Sequence, residues 1–283
     1  MTDFEVFVMA VLYETKTRLD RSGSPMKCSL RMADTPTSKY TALCISCGSL
    51  QRLINLNDMY RAHLDGMSVS DIAASIIDSA LQCGFFEGSA ETVPEKFADY
   101  SKIKDRLFIR LSNSRSNPKF LSEVPHCSIF DLVMTCHILV SGRNSSDIQS
   151  ITVRNSFLEL WKISEETLFA DAISSGAKLF PVSFDRYEGM YLLTNRQKMF
   201  GAASILYENA LETVRDFFGS GFYILPSSIH EVILIPERMA KDPEKLKELV
   251  ICVNSLPECL TEGDFLSDHV YSYRMPDGLS VAA

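Results

Sequence analysis

Hydrophobic positions along this chain alternate between two rhythms: apolar residues three and four apart, which suit one face of a helix, and short apolar runs bounded by turn residues, which suit strands. The opening stretch, Met1 to Tyr13, reads as an amphipathic first helix that ends near Arg21-Ser-Gly-Ser-Pro25. Cys28 to Met32 and Tyr40 to Cys47 read as a strand pair. Leu53, Leu56, Met59, Tyr60 and Leu64 then form a helical face that stops at Gly66. Ser68 or Ser70 with Asp71 caps the next helix, whose stripe is Ile72, Ile76, Ile77, Ala80 and Leu81, and the two helices are expected to pack as a hairpin. Gly84, Gly88 and Pro94 mark a loosening of the pattern.

Further on, Tyr100 to Leu111 predicts a charged helical lead running into the strand Leu107-Phe-Ile-Arg-Leu111, followed by a turn over Asn113 to Pro118. Lys119 to Val124 predicts a short helix, Ile129 to Val140 a strand or a strand with a bulge, and Gly142 to Asp147 a polar loop. Ile151 to Val153 is strand-like. Asn155 and Ser164 are read as caps of two successive helices, and Asn195 as the cap of a helical region through Gly201 to Phe218, with the segment after Phe180-Pro181 read as a linker into the brief strand Tyr191 to Leu193. Strands follow at 222–225 and 232–235. Asp242-Pro243 gives the clearest helix start, running to about Asn254, and Val270 to Tyr273 is a last strand. This order predicts an α+β fold of two lobes, a helix-rich α+β lobe over 1–147 and a mixed lobe over 148–283 with a small antiparallel sheet packed by helices.

Length and composition narrow the classes without naming one. The 283 residues, 46% hydrophobic and 23% charged, suffice for a large core and argue against long disorder. No basic leader precedes the first apolar run, and the later run Ile129 to Val140 is broken by Asp131 and His137, far short of the roughly 20 residues that cross a bilayer. A cytoplasmic protein without a membrane partner is expected, and eight scattered cysteines suit a reducing compartment. The net charge of −8 disfavours generic attraction to nucleic acid. Locally, Lys102, Lys104, Arg106, Arg110, Arg115 and Lys119 against Asp105 give +5 over 101–119. These six are candidate polyanion contacts, although the aromatic platform of a single-strand binder is not visible, and a solvated face explains them too.

Candidate chemistry gathers at one corner. Between the apolar runs of Gly221 to Pro236 lies Pro226-Ser-Ser-Ile-His-Glu231, which places hydroxyls, an imidazole and a carboxylate where two strands meet. Ser227, Ser228, His230 and Glu231 are therefore candidate ligand or partner contacts. They hold the residue types of a hydrolase, yet a working triad needs a base that reaches its nucleophile and a third group that orients the base, and neighbours in one tight turn rarely meet that geometry. Cys44-Ile-Ser-Cys47 has the spacing of a zinc knuckle or a redox pair, but one such pair is half a site, and strand periodicity accounts for Cys44 as a small apolar residue. No glycine-rich phosphate fingerprint occurs, and no cofactor is expected. Trp161 reads as a core anchor.

Several segments in order carry a family resemblance: Ile54 to Tyr60, Val124-Pro-His126 with Phe130-Asp-Leu132, Arg154 to Trp161 with Ile163 to Glu166, Leu193-Thr-Asn195, and Leu225 to Val232. Together they resemble a bacterial family of domains of unknown function, numbered fifty-six eighty-eight, over nearly the whole chain. The resemblance implies a bacterial intracellular protein and transfers no activity and no residue role. The expected function is a non-catalytic binding or regulatory module whose partner is a protein or small ligand. Two alternatives stand beside it, a small-molecule hydrolase or transferase using the Ser227 to Glu231 corner and a nucleic-acid-binding protein using 102–119.

Overall fold

The computed structural model describes residues 2–34, 39–47, 50–83, 97–115, 118–141, 148–187, 190–240, 242–256 and 264–283. The fold is α+β, with strands pairing antiparallel throughout the described sheets. It divides into two compact units, Met1–Ala98 and Asp99–Ala283. The boundary expected at 147/148 falls instead within a sheet, between strands that pair His137 with Thr152 and Ile138 with Ile151. The predicted polar loop 142–147 lies outside the described residues, as do Gly84, Gly88 and Pro94.

In the first unit, α1 (Asp3–Arg21) starts at a reciprocal cap in which the Glu5 amide donates to Thr2 Oγ1 at 3.2 Å and the Thr2 amide to Glu5 Oε2 at 2.7 Å. Strands β1 (Lys27–Asp34), β2 (Lys39–Cys47) and β3 (Leu50–Asn55) form a three-stranded meander. The helix expected from the Leu53 spacing begins later, as α2 (Leu56–Leu64), because the Asn55 side chain accepts the Asn57 amide at 2.9 Å and ends the strand there. Helix α3 (Val69–Cys83) opens where Ser68 Oγ accepts the Asp71 amide at 3.1 Å. It packs chiefly on α1, and the expected α2–α3 hairpin is a slight contact. Phe7, Val11, Leu43, Ile45, Leu56 and Ile72 are the buried heart of this unit.

The second unit holds two sheets. A short helix α4 (Tyr100–Ile103) tightens into a 3-10 turn, Lys104–Arg106, and feeds β4 (Leu107–Asn113). After α5 (Pro118–Glu123), strands β5 (His126–Ile129), β6 (Leu132–Ser141) and β7 (Gln149–Thr152) complete the first sheet, in which β6 is central and β4 is an edge. Helices α6 (Asn155–Trp161) and α7 (Glu165–Leu179) follow. Ser164 caps α7 through the Thr167 amide at 3.2 Å. Asn155 does not cap α6: it is the first helical residue, and its side-chain Nδ2 donates to the Ser122 carbonyl at 3.1 Å. Trp161 is buried between Phe157 and Tyr100, with ring centroids 4.9 and 5.2 Å away.

The second sheet runs β13-β12-β10-β11-β9-β8, from β8 (Val182–Tyr187), β9 (Met190–Asn195), β10 (Phe222–Ser228), β11 (Glu231–Pro236), β12 (Tyr271–Arg274) and β13 (Gly278–Val281). The segment read as a linker after Pro181 is thus the edge strand β8. Asn195 ends β9 and its side chain closes the next turn, donating to the Met199 carbonyl at 2.8 Å. The expected helix 201–218 is split into a buried 3-10 segment, Gly201–Leu206, and α8 (Ala210–Phe218), because Tyr207 is extended and Asn209 sits at φ 60°, outside helical space; Phe200, just before the 3-10 segment, sits at φ 56°. Gly219 at φ 66° ends α8 in the left-handed conformation that glycine adopts without strain. Helix α9 (Pro243–Asn254) starts at Asp242, whose carboxylate accepts the Glu244 amide at 3.2 Å.

Candidate functional site

The 226–231 corner is built by a break in register. Leu225 pairs with Ile233, but Ser228 pairs with Glu231, so the residues between them bulge. Pro226 has no amide hydrogen to give a ladder, which makes a bulge the natural place for it. Ser228 Oγ then accepts the His230 amide at 3.0 Å, closing the turn. The Ser227 side chain lies outside the described residues.

His230 is wired inward. Its Nδ1 accepts the Phe200 amide at 3.1 Å, and its Nε2 stands 3.3 Å from Asp264 Oδ1. Its carbonyl accepts from Thr194 Oγ1 at 2.7 Å, while the neighbouring Ile229 exchanges backbone bonds with Ala202 and Asp264 at 3.2 and 2.9 Å. The strand end 194–195, the 3-10 segment and residue 264 are thereby clamped to the turn. Gly201 permits this approach, since a Cβ there would overlap Thr194 Oγ1 and come within 2.5 Å of the His230 carbonyl oxygen. The imidazole and its carboxylate partner keep 27% and 32% side-chain exposure, so water still reaches the pair. Among the described residues, neither ring nitrogen is paired with a hydroxyl, and Glu231 is the strand partner of Ser228 and not of the imidazole.

Behind the corner, the Phe200 ring lies 5.6 Å from the His230 ring on one side and 3.6 Å from the Arg110 guanidinium carbon on the other. Arg110 belongs to the polyanion candidates, yet it points into the unit from the middle of β4, a strand buried at every other position. It shares a sheet face with Phe108, Ser112, Thr135 and His137 by strand pairing and alternation. Nη2 donates to Ser150 Oγ on β7, while Nε and the Ser112 hydroxyl are buried with no hydrogen-bond partner among the described residues. Burial pulls the guanidinium down to about 9, still charged at neutral pH. Burial, and then the Arg110 charge, hold His137 well below its ordinary range, so it is a neutral imidazole set between Thr135 Oγ1 at 3.0 Å and Thr152 Oγ1 at 3.4 Å.

The other five cations of 102–119 have different settings. Arg106 donates to the Val140 carbonyl, and Lys102 pairs with Asp99 at 3.3 Å. Lys104, Arg115 and Lys119 are exposed. Two of the six side chains are therefore engaged within the fold and do not extend a basic surface. Cys44 is 1% exposed in the core of β2, and the Cys47 side chain lies outside the described residues. Among the described residues, no group of three or more histidines, cysteines and carboxylates could hold a metal.

A second polar knot, which the sequence reading did not single out, ties the two sheets at Asp131. Its carboxylate accepts from Tyr271 OH at 2.5 Å, Ser267 Oγ at 2.7 Å and Asn113 Nδ2 at 3.3 Å, and Asn113 Nδ2 also donates to the Leu266 carbonyl at 2.9 Å. His269 Nδ1 stands 3.0 Å away, within charge-pairing distance but without hydrogen-bond geometry. Burial works against the Asp131 charge, and the Tyr271, Ser267 and His269 contacts outweigh it, leaving the carboxyl below its usual range. The segment 264–271 thus meets the His230 corner at one end and Asp131 at the other. Neither Asp264 nor Asp131 had a local signal, because each finds its imidazole 34 or more residues away. Arg110 did have one: a lone cation inside an otherwise apolar strand.

No helix among the described residues is long and apolar enough to cross a membrane. No curated protein and no solved structure matches the chain. One family model does, over residues 4–188 and 184–275, and with nearly the whole length covered the chain belongs to the family of unknown function DUF5688.

Proposed function

We propose that the protein is a binding or regulatory module of the cytoplasm that does no chemistry on what it binds, and that recognition centres on the His230 corner and the polar sheet face behind it. The observation that supports this reading is the state of the His230 ring. One nitrogen accepts a backbone amide and the other faces Asp264, so neither is poised to take a proton from a nucleophile. The corner is nevertheless half-open to water, as a contact surface requires. Dispersed cysteines in a chain of this size fit a reducing compartment. The inward turn of Arg110 and the engagement of Arg106 lend the nucleic-acid alternative no support.

Turnover assays with p-nitrophenyl acetate and p-nitrophenyl phosphate test the reading. The expected result is no turnover by the wild-type chain and a lowered thermal midpoint in His230→Ala. Measurable turnover that disappears in His230→Ala or Ser228→Ala at an unchanged midpoint overturns it.

A further inference from the structure

Arg110 is a largely desolvated guanidinium with no carboxylate partner among the described residues. Among the described residues no acidic group pairs with it, burial is the cause of its displaced pKa, and its one hydrogen-bond acceptor is the neutral Ser150 hydroxyl. Its Nε–H is buried without an acceptor, and so is the hydroxyl of Ser112, two residues along the same face of the same strand, about 7 Å away at strand spacing. A buried unpaired charge is costly, and each orphaned donor adds to the cost. The flanking positions of β4 are apolar or small, and the guanidinium's contacts among the described residues, the Ser150 hydroxyl and the Phe108 and Phe200 rings, carry no charge.

We infer that Arg110 and Ser112 form a binding site for the oxyanion of a small molecule, a carboxylate or a phosphate group. This rests on the binding-module reading and names its ligand class. The two orphaned groups on this face can both donate: the Nε–H of the guanidinium and the Ser112 hydroxyl. The adjacent His137 is neutral, so it adds no second cation, and a single negative group is the match in charge. The guanidinium carbon lies 3.6 Å over the Phe200 ring, a contact that holds the group in place, and a guanidinium so held recognises an oxyanion through its N–H donors. The Phe200 amide is in turn held by His230 Nδ1, so the corner sets the position of the ring that covers the site. Arg110 as a residue keeps part of its surface in contact with solvent, while its Nε and the Ser112 hydroxyl are covered, so an oxyanion reaches the two donors only when the side chains over them move aside.

The test uses the full chain with sodium phosphate and sodium acetate as probes, ionic strength held constant with sodium chloride, read by thermal midpoint and by calorimetric titration. At least one probe is expected to raise the wild-type midpoint saturably in the millimolar range. Arg110→Met should abolish that rise while leaving the ligand-free midpoint unchanged or higher, because an unpaired charge is removed; an arginine that only supports the fold would give a lower midpoint. Ser112→Ala, which keeps the charge, should weaken the apparent affinity about tenfold or more and decides the matter if Arg110→Met does not fold. No saturable response to either probe, an equal response in Ser112→Ala, or a salt-sensitive retention on RNA that Arg110→Met alone abolishes would overturn the inference. Turnover lost in His230→Ala with phosphate or acetate binding intact sinks the non-catalytic reading and leaves this site standing, whereas silence toward both probes without turnover sinks this site alone.

Discussion

The amide of Phe200 donates to Nδ1 of His230 across 3.1 Å, joining a residue at φ 56° to the turn between β10 and β11. A phenylalanine in left-handed space is strained, and such a conformation persists where surrounding contacts fix it. Here the imidazole fixes it by accepting the amide, and the ring so placed covers Arg110. This makes His230 a positioning residue for the polar face of β4.

Replacing His230 should therefore cost stability according to whether the acceptor survives. His230→Ala leaves the Phe200 amide without its partner and Asp264 without its imidazole, an expected loss of about 1–3 kcal/mol in urea unfolding. His230→Asn places a carbonyl oxygen near the former Nδ1 and should lose clearly less. Equal losses in the two variants would count against the amide bond as the cause.

Acid should destabilise the protein from near neutrality because of His137. Buried and neutral in the fold, it titrates well below the ordinary value, while in the unfolded chain it takes up a proton at about 6.5. The unfolded state then binds more protons, so stability present above about pH 6.5 is lost as pH falls below it, at up to about 1.4 kcal/mol per pH unit from this one group. Denaturant unfolding at stepped pH between 7.5 and 5 checks this, and His137→Gln should flatten the slope over that window. An unchanged slope in the variant would assign the acid sensitivity elsewhere.

Gly201→Ala should be among the most damaging small substitutions in the second unit. The added carbon would overlap Thr194 Oγ1 and meet the His230 carbonyl oxygen at 2.5 Å and the Asn195 amide nitrogen at 2.8 Å, and backbone atoms cannot step aside as a flexible side chain can. A loss of about 1–3 kcal/mol is expected from overpacking of this kind, seen as a lower thermal midpoint. Gly219→Ala, where a Cβ meets open space, loses only the glycine preference at φ 66° and gives the contrast.

Much of the local structure could be read from residue order alone. Ser68, Ser164 and Asp242-Pro243 mark helix starts because a side-chain oxygen answers an amide two or three residues on, a relation wholly contained in the sequence. The strand pairs 28–32 with 40–47 and 222–225 with 232–235 were legible as apolar runs joined by short connections. Strands β3, β5, β8 and β13 were not, since these segments mix polar with apolar residues and their pairing is what makes them strands. Asn155 and Asn195 misled for a related reason: asparagine caps helices, but it also closes turns and reaches distant carbonyls.

The sequence by itself determined the α+β class, the placement of most helices and the corner where Ser228, His230 and Glu231 meet, because those follow from propensity, capping and periodicity within a dozen residues. Tertiary structure alone decided that His230 faces Phe200 and Asp264, that Arg110 turns in to Phe200 and Ser150, and that Asp131 is held by residues 113 and 267–271. Each of those relations depends on which surfaces pack together, and the energy that selects the packing is summed over the whole core, so no local pattern of residues encodes it.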